Sequence, residues 1–167
     1  MSYVKYFAPL DWMIGSGEYM EAVENRLKQK AADHILNMRF ASDGYTSIYQ
    51  NDGKIISVPS VGRLAGFNIY EAKDPLEQKT KEIVSILTEQ AKKGGGFYRY
   101  EWIKPSTRRD TPKIAYAEEY KEWGWIIATG TYIDDIITEE KKRTEEIREN
   151  HKHKLISTIT IFVVVSI

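Results

Sequence analysis

The chain has 167 residues, the length of one ordinary domain with some extra. Its 24 Lys+Arg balance 24 Asp+Glu for a formal net charge of zero, which argues against a dedicated nucleic-acid binder, and 42% hydrophobic residues exclude a wholly disordered chain. Without cysteine there are no disulfides, thiolate metal sites or thiol nucleophiles, and His34, His151 and His153 are too scattered for a zinc site.

In chain order, residues 12–19 (WMIGSGEY) read as a strand. Residues 18–38 follow with apolar positions at Met20, Val23, Leu27, Ala31, Ile35 and Met38, the spacing of a long amphipathic helix that Asp43-Gly44 breaks. Residues 45–50 and 54–58 flank Asn51-Asp52-Gly53, a hairpin signal. Residues 59–74 are polar, glycine-punctuated and aperiodic, which reads as a loop. Asp74-Pro75 opens a helix through about residue 93, with Ile83, Ile86 and Leu87 on its buried face, and Gly94-Gly95-Gly96 ends it. Residues 97–103 alternate as a strand, with Tyr98, Tyr100 and Trp102 on one side. After a polar loop at 105–112, strands at 113–120 and 125–132 turn around Trp123-Gly124. Ile133, Ile136, Ile137, Glu140, Thr144 and Ile147 then mark one side of a C-terminal helix.

Five strands joined mainly by hairpins, with segregated helices, give an antiparallel α+β domain. The C-terminal helix runs into residues 155–167 (LISTITIFVVVSI), an uncharged apolar run shorter than the roughly 20 residues a bilayer needs. It reads as the start of a truncated transmembrane helix, a buried terminal strand being the other reading.

A repeat is also visible. The segment from Ser2 aligns without a gap with the segment from Ala115, at an offset of 113 residues. Tyr3, Trp12, Gly17 and Tyr19 match Tyr116, Trp125, Gly130 and Tyr132, which marks a repeated module. Residues 1–19 are therefore expected to close a preceding module, 20–137 to form one full domain, 138–154 a juxtamembrane helix and 155–167 the start of the membrane helix.

The runs DGYTSIYQNDGKIISVPSVGRLAGFN, AKKGGGFYRYEWIKP and PKIAYAEEYKEWGWIIATGTYIDDI occur in that order. Together they resemble the extracytoplasmic Cache sensor domain of bacteria, and residues 1–19 resemble the end of a preceding Cache module, as in double-Cache receptors. The resemblance implies a PAS-like five-stranded antiparallel sheet outside the cytoplasmic membrane. It implies a small-molecule ligand, an organic acid or amino acid, no cofactor, signalling through a membrane helix and a homodimeric receptor. Where the family often carries His-Pro after the second strand, this chain has Val58-Pro59, so a ligand role for that histidine is lost.

No nucleophile-and-base pair stands out, so neither a catalytic residue nor a metal site is expected. The acids Asp134-Asp135 and Glu139-Glu140 are explained by a helix start, where negative charge is stabilising. A buried carboxylate ligand, by contrast, needs a cation or fixed donors. Arg63, on the loop after the second strand, and Lys113, at the family's Pro-Lys position, are the candidate cations. Tyr98, Tyr100, Trp102 and Tyr116 are candidate walls and hydroxyl donors, each with surface charge or core packing as the competing role. The expected pocket lies between the Tyr98-Tyr100-Trp102 side of the sheet and the 59–74 loop. Three functions fit: a receptor sensor module, a non-binding structural or dimerisation module, and a tethered substrate-capture protein.

Overall fold

The structure, a computed structural model, describes residues 2–165, with side chains described for 2–154. Contacts divide it into two compact units, Met1–Met38 and Arg39–Ile167. In the first, β1 (Ser2–Phe7) and β2 (Trp12–Gly17) form an antiparallel hairpin followed by α1 (Met20–Asn37).

The second unit holds β3 (Arg39–Phe40), β4 (Gly44–Gln50), β5 (Ile55–Ser57), α2 (Pro75–Lys92), β6 (Gly96–Ile103), β7 (Asp110–Tyr120), β8 (Trp125–Tyr132) and α3 (Ile133–Val165). The sheet runs β3-β4-β8-β7-β6, with β5 also paired to β4, and every pairing is antiparallel. It has six strands where the sequence gives reason to expect five. The extra one, β3, is two residues long and so too short for alternation to be read; it exists because Ala41, at φ 51, turns the chain back onto β4. Among the described residues no helix is long and apolar enough to cross a membrane. The expected membrane segment, residues 155–167, lies outside the described side chains.

Local chemistry explains the other boundaries. Gly53, at φ 89, makes the Asn-Asp-Gly turn between β4 and β5, where the Gln50 N–H donates to the Lys54 carbonyl at 2.8 Å. Asp74 and Glu77 form a capping box at the start of α2, satisfying donors that a bare helix end leaves open. α2 lays Thr80, Ile83, Val84, Leu87 and Ala91 on the sheet, the three-and-four spacing of a buried helix face. The segment expected as a plain loop contains two short 3-10 turns, Pro59–Leu64 and Ile69–Glu71, which bury Leu64 and Ile69 in the same core. Their apolar anchors follow no helix or strand period, so periodicity does not reveal them.

The two segments matched by sequence also fold alike. β1 pairs β2 with Tyr3 opposite Ser16 and Phe7 opposite Trp12; β7 pairs β8 with Tyr116 opposite Thr129 and Tyr120 opposite Trp125. Each hairpin turns through a short 3-10 helix onto a left-handed residue, Asp11 at φ 54 and Gly124 at φ 62. A helix follows each, from Met20 and from Ile133.

Gly130 sits where β8 is squeezed between β4 and β7. A Cβ there would stand 2.6 Å from the Ile114 carbonyl oxygen and 2.7 Å from the Ala115 Cβ, whereas one at Gly62 meets nothing within 4 Å. Gly130→Ala is expected to cost about 1–3 kcal/mol by overpacking, and Gly62→Ala no more than about 0.5 kcal/mol. Urea unfolding of the two variants separates them; equal midpoints would contradict this account of the central strand.

Candidate functional site

Side chains alternate across a strand, so the pairing register fixes which residues share a face. Tyr100 lies opposite Lys113, Lys113 opposite Tyr132, and Tyr45 opposite Gly130. The face they share carries large aromatics on β6 (Tyr98, Tyr100, Trp102) and on β4 (Tyr45, Tyr49). Between them β7 and β8 present mostly small residues: Ala115, Ala117, Ala128 and Gly130. The result is an aromatic-walled trough, which α2 roofs with Thr80, Ile83 and Val84. What remains open inside is about 10 Å³, the room of a single water.

Ser60 closes one wall. The Trp102 indole N–H donates to its hydroxyl oxygen at 2.7 Å, and the Tyr45 hydroxyl shares a hydrogen bond with it, also 2.7 Å long. One serine thus ties the segment after β5 to β4 and to β6. Tyr98 stacks on Tyr100 at 5.7 Å and carries the aromatic wall outward. Burial pushes the Tyr100 hydroxyl well above its ordinary range and raises that of Tyr45, so both stay protonated as donors at neutral pH.

Lys113 is the unusual member. It is 2% exposed, and its ammonium sits on the Tyr45 ring, 3.3 Å from the centroid, with the Tyr132 centroid 5.4 Å away. Among the described residues it has neither a hydrogen-bond acceptor nor a carboxylate partner. Burial holds its proton affinity well below that of an ordinary lysine. Lys104, 5% exposed, is its opposite. That ammonium meets Asp135 at 2.6 Å, Asp134 at 2.8 Å and Asp43 at 3.7 Å. Burial works against its charge, but the hydrogen bonds to Asp134 and Asp135 outweigh that and raise its proton affinity overall. Of two buried lysines in one fold, one has three carboxylates and the other has none.

The structure therefore brings Tyr98, Tyr100, Trp102 and Lys113 together and leaves two expected residues elsewhere. Arg63 is half exposed and pairs with Asp74 at 2.8 Å and Glu77 at 3.8 Å, so its guanidinium secures the cap of α2 and lines no part of the cavity. Tyr116 lies three residues after Lys113 on β7, hence on the opposite face, where it packs edge-to-face on Phe97 at 5.1 Å. A wider concavity of about 270 Å³ lies on that face, lined by Tyr116, Glu118, Glu119, Tyr120, Ile127 and Thr129. It offers two glutamates and no cation. The cavity in the trough is small and Lys113 does not line it, but the unmatched charge shares its face of the sheet and lies against the Tyr45 ring that does, and charge is the stronger indication of a site. Tyr45, Ser47 and Tyr49 were legible as an alternating wall in GYTSIYQ; Ser60 and Thr80 carried no signal.

A profile of the Cache domain family matches residues 1–137. The chain is 30% identical over 129 residues to the sensor histidine kinase MctS of Rhizobium johnstonii, a match covering 77% of this chain and 27% of that protein. The chain thus spans about a quarter of that relative's length. Among solved structures it is similar to a methyl-accepting chemotaxis protein from Vibrio parahaemolyticus, with TM-score 0.56 and 34% identity over 67% of this chain and 74% of that one. It is also similar, with TM-score 0.54 and 26% identity over 68% of this chain and 79% of the other, to a Cache chemosensory domain solved as a structural basis for carboxylic acid recognition.

The buried lysine has a pH signature. Below its depressed value the folded and unfolded chains both hold the proton, and this group gives no slope. Between that value and about 10.5 the unfolded chain holds the proton and the folded chain does not, so stability rises with pH. Buried tyrosines reverse the slope only above about pH 10. Within the interval between that depressed value and about 10.5, unfolding stability of the wild type relative to Lys113→Met is expected to climb by up to about 1.4 kcal/mol per unit. Two parallel pH profiles would contradict the unpaired ammonium.

Proposed function

We propose, for a chain that belongs to the Cache domain family, that it is the extracytoplasmic ligand-sensing domain of a bacterial transmembrane receptor and that its ligand is a small carboxylate held by Lys113. The observation that carries this reading is the buried ammonium with no carboxylate of its own. A ligand carboxylate supplies what it lacks, and in a dry aromatic trough a charge-assisted hydrogen bond is stronger than in water. The cavity lining contains no aspartate or glutamate to meet an α-ammonium, which favours a plain carboxylic acid over an amino acid. The role is binding without turnover. Even acetate needs more space than the cavity offers, so entry parts the wall made by Val58 and Ser60 from the sheet.

The domain order proposed is a closing hairpin of a preceding Cache-type sheet in residues 1–19, the sensor domain in 20–137, a juxtamembrane helix in 138–154 and the start of a membrane helix in 155–167. The shared register of the two hairpins supports the first of these, and so do the exposed Tyr3, Tyr6, Trp12 and Ile14 of β1 and β2. The uncharged composition of 155–167 supports the last. The receptor is proposed to be of the kinase or chemotaxis type, as are the proteins to which the chain is similar, and to act as a homodimer. A second reading, a Cache module that serves only as a spacer, is favoured by the closed cavity and by Val58 in place of the family's histidine.

Calorimetry of the chain against acetate, propionate, lactate, succinate and alanine separates the two. At least one monocarboxylate is expected to bind, and Lys113→Met to weaken it by at least about 1.5 kcal/mol, roughly tenfold, with Arg63→Met without effect. If no acid binds the folded domain, the spacer reading stands.

A further inference from the structure

Tyr132 occupies a singular place. It is the last residue of β8, fully buried, and Ile133 after it opens α3. Both buried lysines face its ring: the Lys113 nitrogen lies 5.4 Å from the centroid and the Lys104 nitrogen 5.5 Å. Its hydroxyl donates at 2.6 Å to the carbonyl of Ile103, the residue before Lys104. Lys104 in turn holds Asp134 and Asp135, the second and third residues of α3. Asp43, 3.7 Å from the same ammonium, accepts from the Ser106 N–H at 3.1 Å and from the Ser106 hydroxyl at 2.6 Å. The turn after β3, the loop after β6, the end of β8 and the start of α3 therefore converge on one cation.

We propose that Lys104 is a positioning residue that couples occupancy of the Lys113 site to the first turn of α3, through the tyrosine ring that both lysines face. The proposal rests on the carboxylate reading above. A ligand carboxylate draws the Lys113 ammonium off the Tyr45 and Tyr132 rings, which removes one of the two cations that hold the Tyr132 ring in place. The ring is covalently continuous with α3 and hydrogen-bonded beside Lys104, so its shift is delivered to the contacts that fix the helix start. Those contacts have room to rearrange. Three carboxylates share one ammonium, and the second carboxylate oxygen of Asp135 is buried with no hydrogen-bond partner among the described residues. The acids that begin α3, which a helix start alone explains in the sequence, thereby have a second role.

The test uses the 167-residue chain, sodium acetate as probe, and amide hydrogen exchange across residues 134–138. Saturating acetate is expected to change exchange there at least about threefold in the wild type. Lys104→Met is expected to keep acetate affinity within about threefold and to lose the exchange response. Asp134→Asn removes one half-exposed arm of the cluster, keeps the fold, and is expected to cut the response at least about twofold. Variants that respond like the wild type overturn the proposal, and so does a folded Lys104→Met that no longer binds acetate, since that places Lys104 in the binding site. Acetate that binds the wild type and leaves α3 unchanged overturns the coupling alone. If acetate does not bind but another monocarboxylate does, the same exchange experiment is read with that acid; a wild type that binds none overturns the carboxylate reading and the coupling with it.

Discussion

A lysine ammonium lodged among ring faces, with no carboxylate to meet it, is the constraint on which the rest of this fold turns. Removing such a group from water costs several kcal/mol. A ring face returns about 0.5–2 kcal/mol, so the contact of Lys113 with Tyr45 leaves the charge under-compensated. Lys104 shows how the same fold treats a buried lysine it means to satisfy, with carboxylates from two separate segments. The difference separates a structural ion cluster from a buried charge with no counter-ion among the described residues.

The surroundings of Lys113 follow from the strands on either side of it. Alanines and Gly130 on the central strands leave depth between the aromatic walls of β4 and β6, and the close approach of β7 to Gly130 keeps that depth from being filled. α2 closes the top, and its position follows from the Asp74–Glu77 capping box and the arginine that pairs with it. Ser60 is a polar tie between both walls and the segment after β5. The ligand entry proposed above would part these, working against two hydrogen bonds while relieving one buried charge.

Much of this was legible in the residues, and the failures have physical causes. The alternation of Tyr98, Tyr100 and Trp102 put the three on one face, as the structure has them, because β6 is long enough for its period to be read. The same rule separates Lys113 from Tyr116, three residues apart on one strand, although both were candidates for one site. Arg63 was misplaced because its partner Asp74 lies across an aperiodic segment whose 3-10 turns leave no periodic trace. The Lys104 cluster was invisible for a different reason. Its members come from three stretches of chain, and only the tertiary fold brings Asp43, Lys104 and Asp134-Asp135 together.

Lys113 is proposed as a buried cation whose partner is the ligand carboxylate. Side-chain nitrogen NMR of labelled lysine, titrated with and without saturating acetate, measures it most directly. The Lys113 ammonium is expected to titrate well below an ordinary lysine in the free domain and to move upward when acetate binds, because the carboxylate stabilises the charged form. A Lys113 that titrates like a surface lysine, unmoved by acetate, would contradict it.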